Sequence, residues 1–212
     1  MILASINLGQ AQPLPGHKSP SGIAKKPVAG PVLLDAQGLM GDAVCNRSVH
    51  GGPDQAVYVY GEPDYAAWSE LLGRTLPPGT LGENLTVSGL DSRDLAVGDR
   101  LQIQEVLLEV TAPRFPCATL AQHMDDPGFV KRFRDVGRPG VYCRVLEGGF
   151  LTPGDAVQMT PFAGDRIGMT DLFSDHFHAS RDPALLRRWL AAPLAQRLRQ
   201  ELGERLEKLL TA

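Results

Sequence analysis

Up to about residue 162 the chain runs as short apolar stretches separated by glycine and proline: 2–8, 56–60, 84–87, 101–110, 141–146 and 156–159. Several of them alternate apolar and polar positions, as a half-buried strand must when successive side chains leave opposite faces. In 141–146, Val141, Cys143 and Val145 share one face, while Tyr142, Arg144 and Leu146 share the other. Gly98-Asp99 and Gly154-Asp155 each sit just ahead of such a stretch, where a turn needs glycine's freedom at positive φ. The pattern predicts β-strands joined by tight turns.

Two departures from this period stand out. Residues 61–73, GEPDYAAWSELLG, predict a helix, with Pro63 and Asp64 in its first turn and Gly73 just past its end. Its Tyr65, Trp68, Leu71 and Leu72 are expected to face a core. After Gly164 the period becomes helical throughout. A first helix is expected over 169–179, with Leu172, Phe173, His176 and Phe177 on one side, and a second from Asp182-Pro183 to Leu190. A third is expected from Pro193 to about Leu210, with Leu194, Leu198, Leu202, Leu206 and Leu209 as its apolar stripe. The organisation expected is therefore a β body over 1–163 and a three-helix segment over 164–212, serving either to dock a partner or to cap the body.

Composition narrows the class. A chain of 212 residues suits one main domain, and 23 glycines with 17 prolines suit many turns and short elements. A net charge of −3 argues against a nucleic-acid binder, which needs clustered Lys and Arg. No run of about 20 apolar residues suggests a membrane span, and the first residues do not read as a signal peptide. Three cysteines, Cys45, Cys117 and Cys143, without a CxxC spacing point away from a disulfide framework and towards the reducing cytoplasm.

Three clusters carry candidate chemistry. Gly38-Leu39-Met40-Gly41-Asp42 followed by Arg47 to Tyr58, RSVHGGPDQAVY, makes a glycine-rich loop whose backbone N–H groups suit an anion, or else a tight connection into the next strand. Gly82-Glu83-Asn84 precedes a strand and suits either a ligand-orienting amide or a turn cap. In Pro113-Arg114-Phe115-Pro116-Cys117, two prolines stiffen a loop and hold Cys117 outside regular structure. Arg114 there favours the thiolate, a nucleophile or a soft-metal ligand; the plain alternative is a small buried hydrophobe. Cys45 and Cys143 fit that alternative better. Neither a phosphate-binding P-loop nor a GxGxxG fingerprint occurs.

Taken in order, Ser21-Gly22-Ile23-Ala24-Lys25, Gly38-x-x-Gly41-Asp42, His50-Gly51-Gly52-Pro53-Asp54, Gly82-Glu83-Asn84-Leu85 and Pro113-Arg114-x-Pro116-Cys117 resemble MOSC domains. The likeness is greatest to the bacterial YiiM-like proteins, which add a three-helix segment after the domain. The resemblance implies a mostly β fold: a MOSC-type β-barrel body with a few helices and a small C-terminal α-helical segment. It also implies the molybdenum cofactor, with Cys117 as the protein's ligand to the metal. Lys25, Arg47 and Arg114 are then candidates for the pterin phosphate. Gly51 and Gly52 would offer backbone N–H groups, and Asp54 and Asn84 hydrogen bonds to the pterin. His50 is the candidate proton donor.

The reaction implied is reduction of N-hydroxylated compounds, hydroxylamino to amino. With no flavin or iron–sulfur motif in the chain, electrons are expected from a separate reductase. A monomer or weak homodimer is expected, with no nucleic acid and no membrane among its partners. Two other readings stay open: a carrier that binds the cofactor and catalyses nothing, and a thiol hydrolase using Cys117 with His50 as base.

Overall fold

The computed structural model describes residues 1–15, 19–45 and 51–211. Its main element is a mixed eight-stranded sheet. The strands are β1 (Ile2–Gly9), β2 (Lys25–Val28), β5 (Val57–Gly61), β6 (Leu85–Ser88), β7 (Arg100–Ile103), β8 (Val106–Pro113), β9 (Val141–Glu147) and β11 (Val157–Thr160). They lie in the order β11-β7-β8-β9-β5-β6-β1-β2. A second sheet holds β3 (Val32–Asp35), β4 (Gly38–Leu39) and β10 (Gly149–Leu151).

The large sheet curls strongly. Although β11 sits at one edge, its lead-in meets β1 near the other: Leu3 N–H donates to the Asp155 carbonyl at 2.8 Å, and Gly154 N–H to the Leu3 carbonyl at 2.8 Å. The ladder does not close into a barrel among the described residues. The body is a mixed, curled sheet with several helices. Those helices are α1 (Glu62–Leu72), α2 (Ala118–His123), α3 (Phe129–Val136), α4 (Met169–Phe177), α5 (Pro183–Leu190) and α6 (Gln196–Thr211).

The strand pair that shapes the site is β5 with β6, which run parallel and are joined through α1. A parallel pair needs such a crossover, and its two strand starts fall at the same end of the sheet. Proline and acidic residues open α1, and Gly73 closes it at φ 63°. Trp68 is fully buried and Tyr65 nearly so, but Leu71 is 54% exposed, so the inward stripe is narrower than the sequence suggests.

The expected single stretch over 101–110 is a hairpin, β7 and β8, that turns at the polar pair Gln104-Glu105. Gln104 takes a positive φ of 52° there. The third C-terminal helix starts at Gln196 rather than Pro193. Residues 193–195 instead run along the body, where the Ala195 N–H donates to the Thr111 carbonyl at 3.0 Å.

Two apolar clusters hold the elements together. Strand residues such as Val57, Leu108 and Val110 share one core with Leu186, Trp189, Leu198 and Leu202 of α5 and α6. Tyr60, Trp68, Phe129 and Phe133 form the second, which Phe173 of α4 enters. The C-terminal helices are therefore packed onto the sheet.

Candidate functional site

A cavity of about 170 Å³ opens where several strand ends and loops converge. Its walls come from residues 19–23 with Lys25, from 42–45, from Gly51, Gln55, Ala56 and Tyr58, from Gly82 and Asn84, and from Arg114, Cys117, Thr119 and Tyr142. The parallel pairing explains much of this: Asn84, just before β6, reaches the second residue of β5. Its N–H donates to the Tyr58 carbonyl at 2.8 Å, and its side-chain oxygen accepts from Tyr58 N–H at 3.1 Å.

Cys117 stands at the end of the short loop after β8, immediately before α2, with extended backbone (φ −133°, ψ 168°). It is half-buried and lines the cavity. Beside it Arg114 is 4% exposed; its guanidinium lies over the Tyr58 ring at 5.1 Å, and one Nη donates to the Leu81 carbonyl. Burial alone would weaken the hold of Arg114 on its proton. The phenols of Tyr58 and Tyr142 and the Cys117 sulfur more than offset that, and its pKa is raised. Its Nε is buried with no hydrogen-bond partner among the described residues. An orphaned donor of this kind, in the wall of a cavity, fits an anionic occupant.

Lys25 is already engaged. It forms an ion pair with Asp42, and both side chains are under a tenth exposed. Burial lowers the lysine pKa, against the pull of the carboxylate. Asp42 is the hub of this wall: it also accepts from Gly9 N–H at 2.7 Å and from the Asn84 amide at 2.9 Å. Asp42 belongs to the Gly38-x-x-Gly41-Asp42 motif, but a carboxylate two strands away from a lysine shows no pairing in the sequence.

The remaining candidates divide. Gly51 lines the cavity. Gly52 does not; it opens the 3-10 turn Pro53–Gln55 at φ 87°. Asp54 also lies outside the lining. Its carboxylate accepts from Gln196 N–H at 2.8 Å and pairs with Arg144 at 3.0 Å, so it braces the C-terminal segment. Arg47 and His50 lie outside the described residues. Cys143 is buried in β9, and burial pushes its thiol up. Cys45, expected to be buried, is instead exposed and lines the cavity.

Glu83 sits behind the wall, fully buried. Its Oε1 accepts from Gly79 N–H at 2.6 Å, Tyr65 OH at 2.7 Å and Thr86 OH at 2.9 Å, while Oε2 has no partner among the described residues. Burial raises its pKa. A carboxyl whose folded pKa exceeds its unfolded value keeps its proton where the unfolded chain has lost it. Stability therefore falls as pH rises from the ordinary carboxylate range through the folded pKa. Glu83→Gln is expected to flatten that decline in unfolding free energy measured between about pH 4 and 7. An unchanged slope would mean that Glu83 is ionised throughout.

The aromatic residues fasten this region to the C-terminal helices. Phe115, in the loop of Cys117, stacks on His176 of α4 at 4.0 Å between centroids and on Phe173 at 6.1 Å.

The chemistry of the donor set is limited. Among the described residues, no group of three or more His, Cys, Asp or Glu is arranged to hold a metal ion. The cavity offers sulfur from Cys117 and Cys45 and cations from Arg114 and Lys25, which suits a metal that arrives carrying most of its own ligands on an anionic carrier.

The family model of the MOSC domain matches residues 46–158. The chain belongs to the MOSC domain family. YflK of Bacillus subtilis, an uncharacterised protein, is 33% identical over 97% of this chain and 95% of its own. The crystal structure of YiiM from Geobacillus stearothermophilus superposes with a TM-score of 0.81 at 28% identity, covering 97% of this chain and 98% of that one. A Gibberella moniliformis protein named Reductase is 34% identical over 68% of this chain, which spans 26% of that larger protein. The MOSC, YiiM-like assignment expected from the motifs thus holds, and the family is associated with molybdenum cofactor binding. Among the described residues no helix is long and apolar enough to cross a membrane.

Proposed function

We propose that the chain binds the molybdenum cofactor at this cavity, with Cys117 as its ligand to the metal, and reduces N-hydroxylated compounds. The observation that carries this reading is the Cys117 sulfur on the cavity wall beside the buried, incompletely paired Arg114. The guanidinium attracts an ionised sulfur and, by its charge, an anionic oxygen of the ligand. Lys25 contributes charge partly neutralised by Asp42, and the Gly51 loop supplies backbone donors. Asn84 holds the wall in register through its bonds to Tyr58 and Asp42. When bound, the cofactor supplies a two-electron centre able to take up oxygen.

The net reaction is R–NHOH plus two electrons and two protons giving R–NH2 and water. His50, on the glycine-rich loop, is the proton donor in this reading. The electrons come from a separate reductase, and the protein acts in the cytoplasm. The curled sheet serves as the barrel-like container of the MOSC body (1–163), with 164–212 as its helical cap. A relative named Reductase supports the redox assignment over simple carriage.

The test is protein made in a host that synthesises the cofactor, assayed for molybdenum, for pterin and for turnover of benzamidoxime with reduced methyl viologen. Metal, pterin and turnover together are expected. Metal and pterin without turnover would make the protein a carrier, and absence of both would overturn the reading.

A further inference from the structure

The alternation of β9 sets one aromatic side chain apart from its neighbours. Val141 and Cys143 enter the strand core, whereas Tyr142 leaves the opposite face and packs, with Phe115 and Cys117, against the aromatic cluster. It stands directly across from Tyr58 of β5, and the two rings lie 5.3 Å apart. Both residues line the cavity, but their hydroxyls differ. Tyr58 OH donates to the Pro139 carbonyl at 2.9 Å. Tyr142 is half-buried, and its hydroxyl makes no hydrogen bond among the described residues.

The surroundings locate that hydroxyl. Its oxygen is within electrostatic reach of both the Arg114 guanidinium and the Cys117 sulfur. Other polar side chains of the lining are engaged: Lys25 and the Asn84 amide on Asp42, and Arg114 on the Leu81 carbonyl. Burial raises the pKa of Tyr142, against the pull of Arg114. At neutral pH the phenol therefore carries its proton and has a donor to offer.

We propose that the Tyr142 hydroxyl is a catalytic donor: it hydrogen-bonds the oxygen of the substrate's N–O bond and protonates it as that bond breaks. This role rests on the proposed reaction and adds the residue that handles its oxygen. Two electrons from the separate reductase break the N–O bond. The phenolic proton goes to the departing hydroxide, giving water, and the second proton reaches the nitrogen from His50, the donor of the proposed reaction. Hydroxide is basic enough to take it, since water has a pKa of about 15.7. The phenolate left behind is stabilised by the charge of Arg114 and regains its proton from solvent.

The experiment compares the full-length protein, from a host that synthesises the cofactor, with Tyr142→Phe, which keeps the ring and its contact with Tyr58. Because the hydroxyl bonds nothing in the fold, melting temperature and molybdenum content should not change. Binding is read by calorimetry without an electron donor, as the ratio of affinities for benzamidoxime and for benzamidine, which lacks the oxygen. The variant should lower that ratio roughly 2- to 10-fold, the worth of one neutral hydrogen bond. Turnover with reduced methyl viologen is read on benzamidoxime and on its O-acetyl ester, whose departing acetate needs no proton. The variant should slow the first about 10²- to 10⁴-fold and leave the second nearly unchanged.

An unchanged affinity ratio overturns the proposal. Benzamidoxime turnover at the full rate does so as well, and so does equal slowing of the two compounds, which would leave Tyr142 as a piece of wall. A variant that melts lower or loses molybdenum also overturns it, because the hydroxyl would then serve the fold or the cofactor. A lowered ratio in a protein that reduces neither compound keeps the bond from Tyr142 to the oxygen and overturns the proposed reaction.

Discussion

A Cys117→Ser protein, made in a cell that synthesises the molybdenum cofactor, is expected to purify folded and without molybdenum. The two side chains are close in size, and the residue lies half-buried with room beside it. Position 117 is also the cap of α2, where the cysteine side chain makes no capping hydrogen bond and serine is among the preferred residues. The melting temperature should therefore hold or rise slightly. Metal binding has no such substitute. A neutral hydroxyl is a poor ligand for a soft metal, and even the loss of a partner that merely orients a metal ligand costs about 10- to 100-fold in affinity or activity. Loss of the sulfur should exceed this. Elemental analysis and calorimetry on one preparation check both halves, and retained molybdenum would show that Cys117 does not bind the metal.

The second large effect is on stability. Asp42→Ala removes the counter-ion of Lys25 and leaves Gly9 N–H and the Asn84 amide without their acceptor. Breaking a buried ion pair from one side costs about 3–5 kcal/mol, because the other charge stays buried. For a chain of this size that is a fall in melting temperature of roughly 10 °C. Asp42→Asn keeps an acceptor for Gly9 and should lose less. The double change Lys25→Met with Asp42→Leu removes both charges and should recover much of the loss, since an apolar pair of similar volume avoids the desolvation cost. Equal losses in the single and double variants would show that the hydrogen bonds of Asp42, not its charge, hold the wall.

What the sequence disclosed and what it hid follow from the range of the forces involved. The helix at Glu62–Leu72 was readable because proline, acidic residues and a final glycine act within a turn of themselves. Asp182 ahead of α5 was readable for the same reason, and its side chain does accept from Ala184 N–H. Strand β9 showed its alternation because one face is in the core. By contrast, β3 and β10 are short strands that pair across more than a hundred residues, and neither carries a period of its own. The eight residues of α3 place Phe129 and Phe133 at helical spacing, too short a run to outweigh its polar neighbours.

At the site, the motif around Cys117 marked a loop that does line the cavity, because proline and arginine lie within three residues of it. Asp42 beside Lys25 and Arg197 beside Gln55 depend on tertiary docking, which no local pattern records. Asp54 is a motif position whose bonds to Gln196 N–H and Arg144 likewise appear only in the folded chain.

The walls of the cavity are drawn from residues 19 to 142, and one of them, Gln55, is bonded by Arg197 of the last helix. A growing polypeptide has no finished receptacle until almost all of it has been made. Filling must then follow synthesis, on a chain that has already folded, and a truncation near the C-terminus would be felt at a pocket far away in sequence.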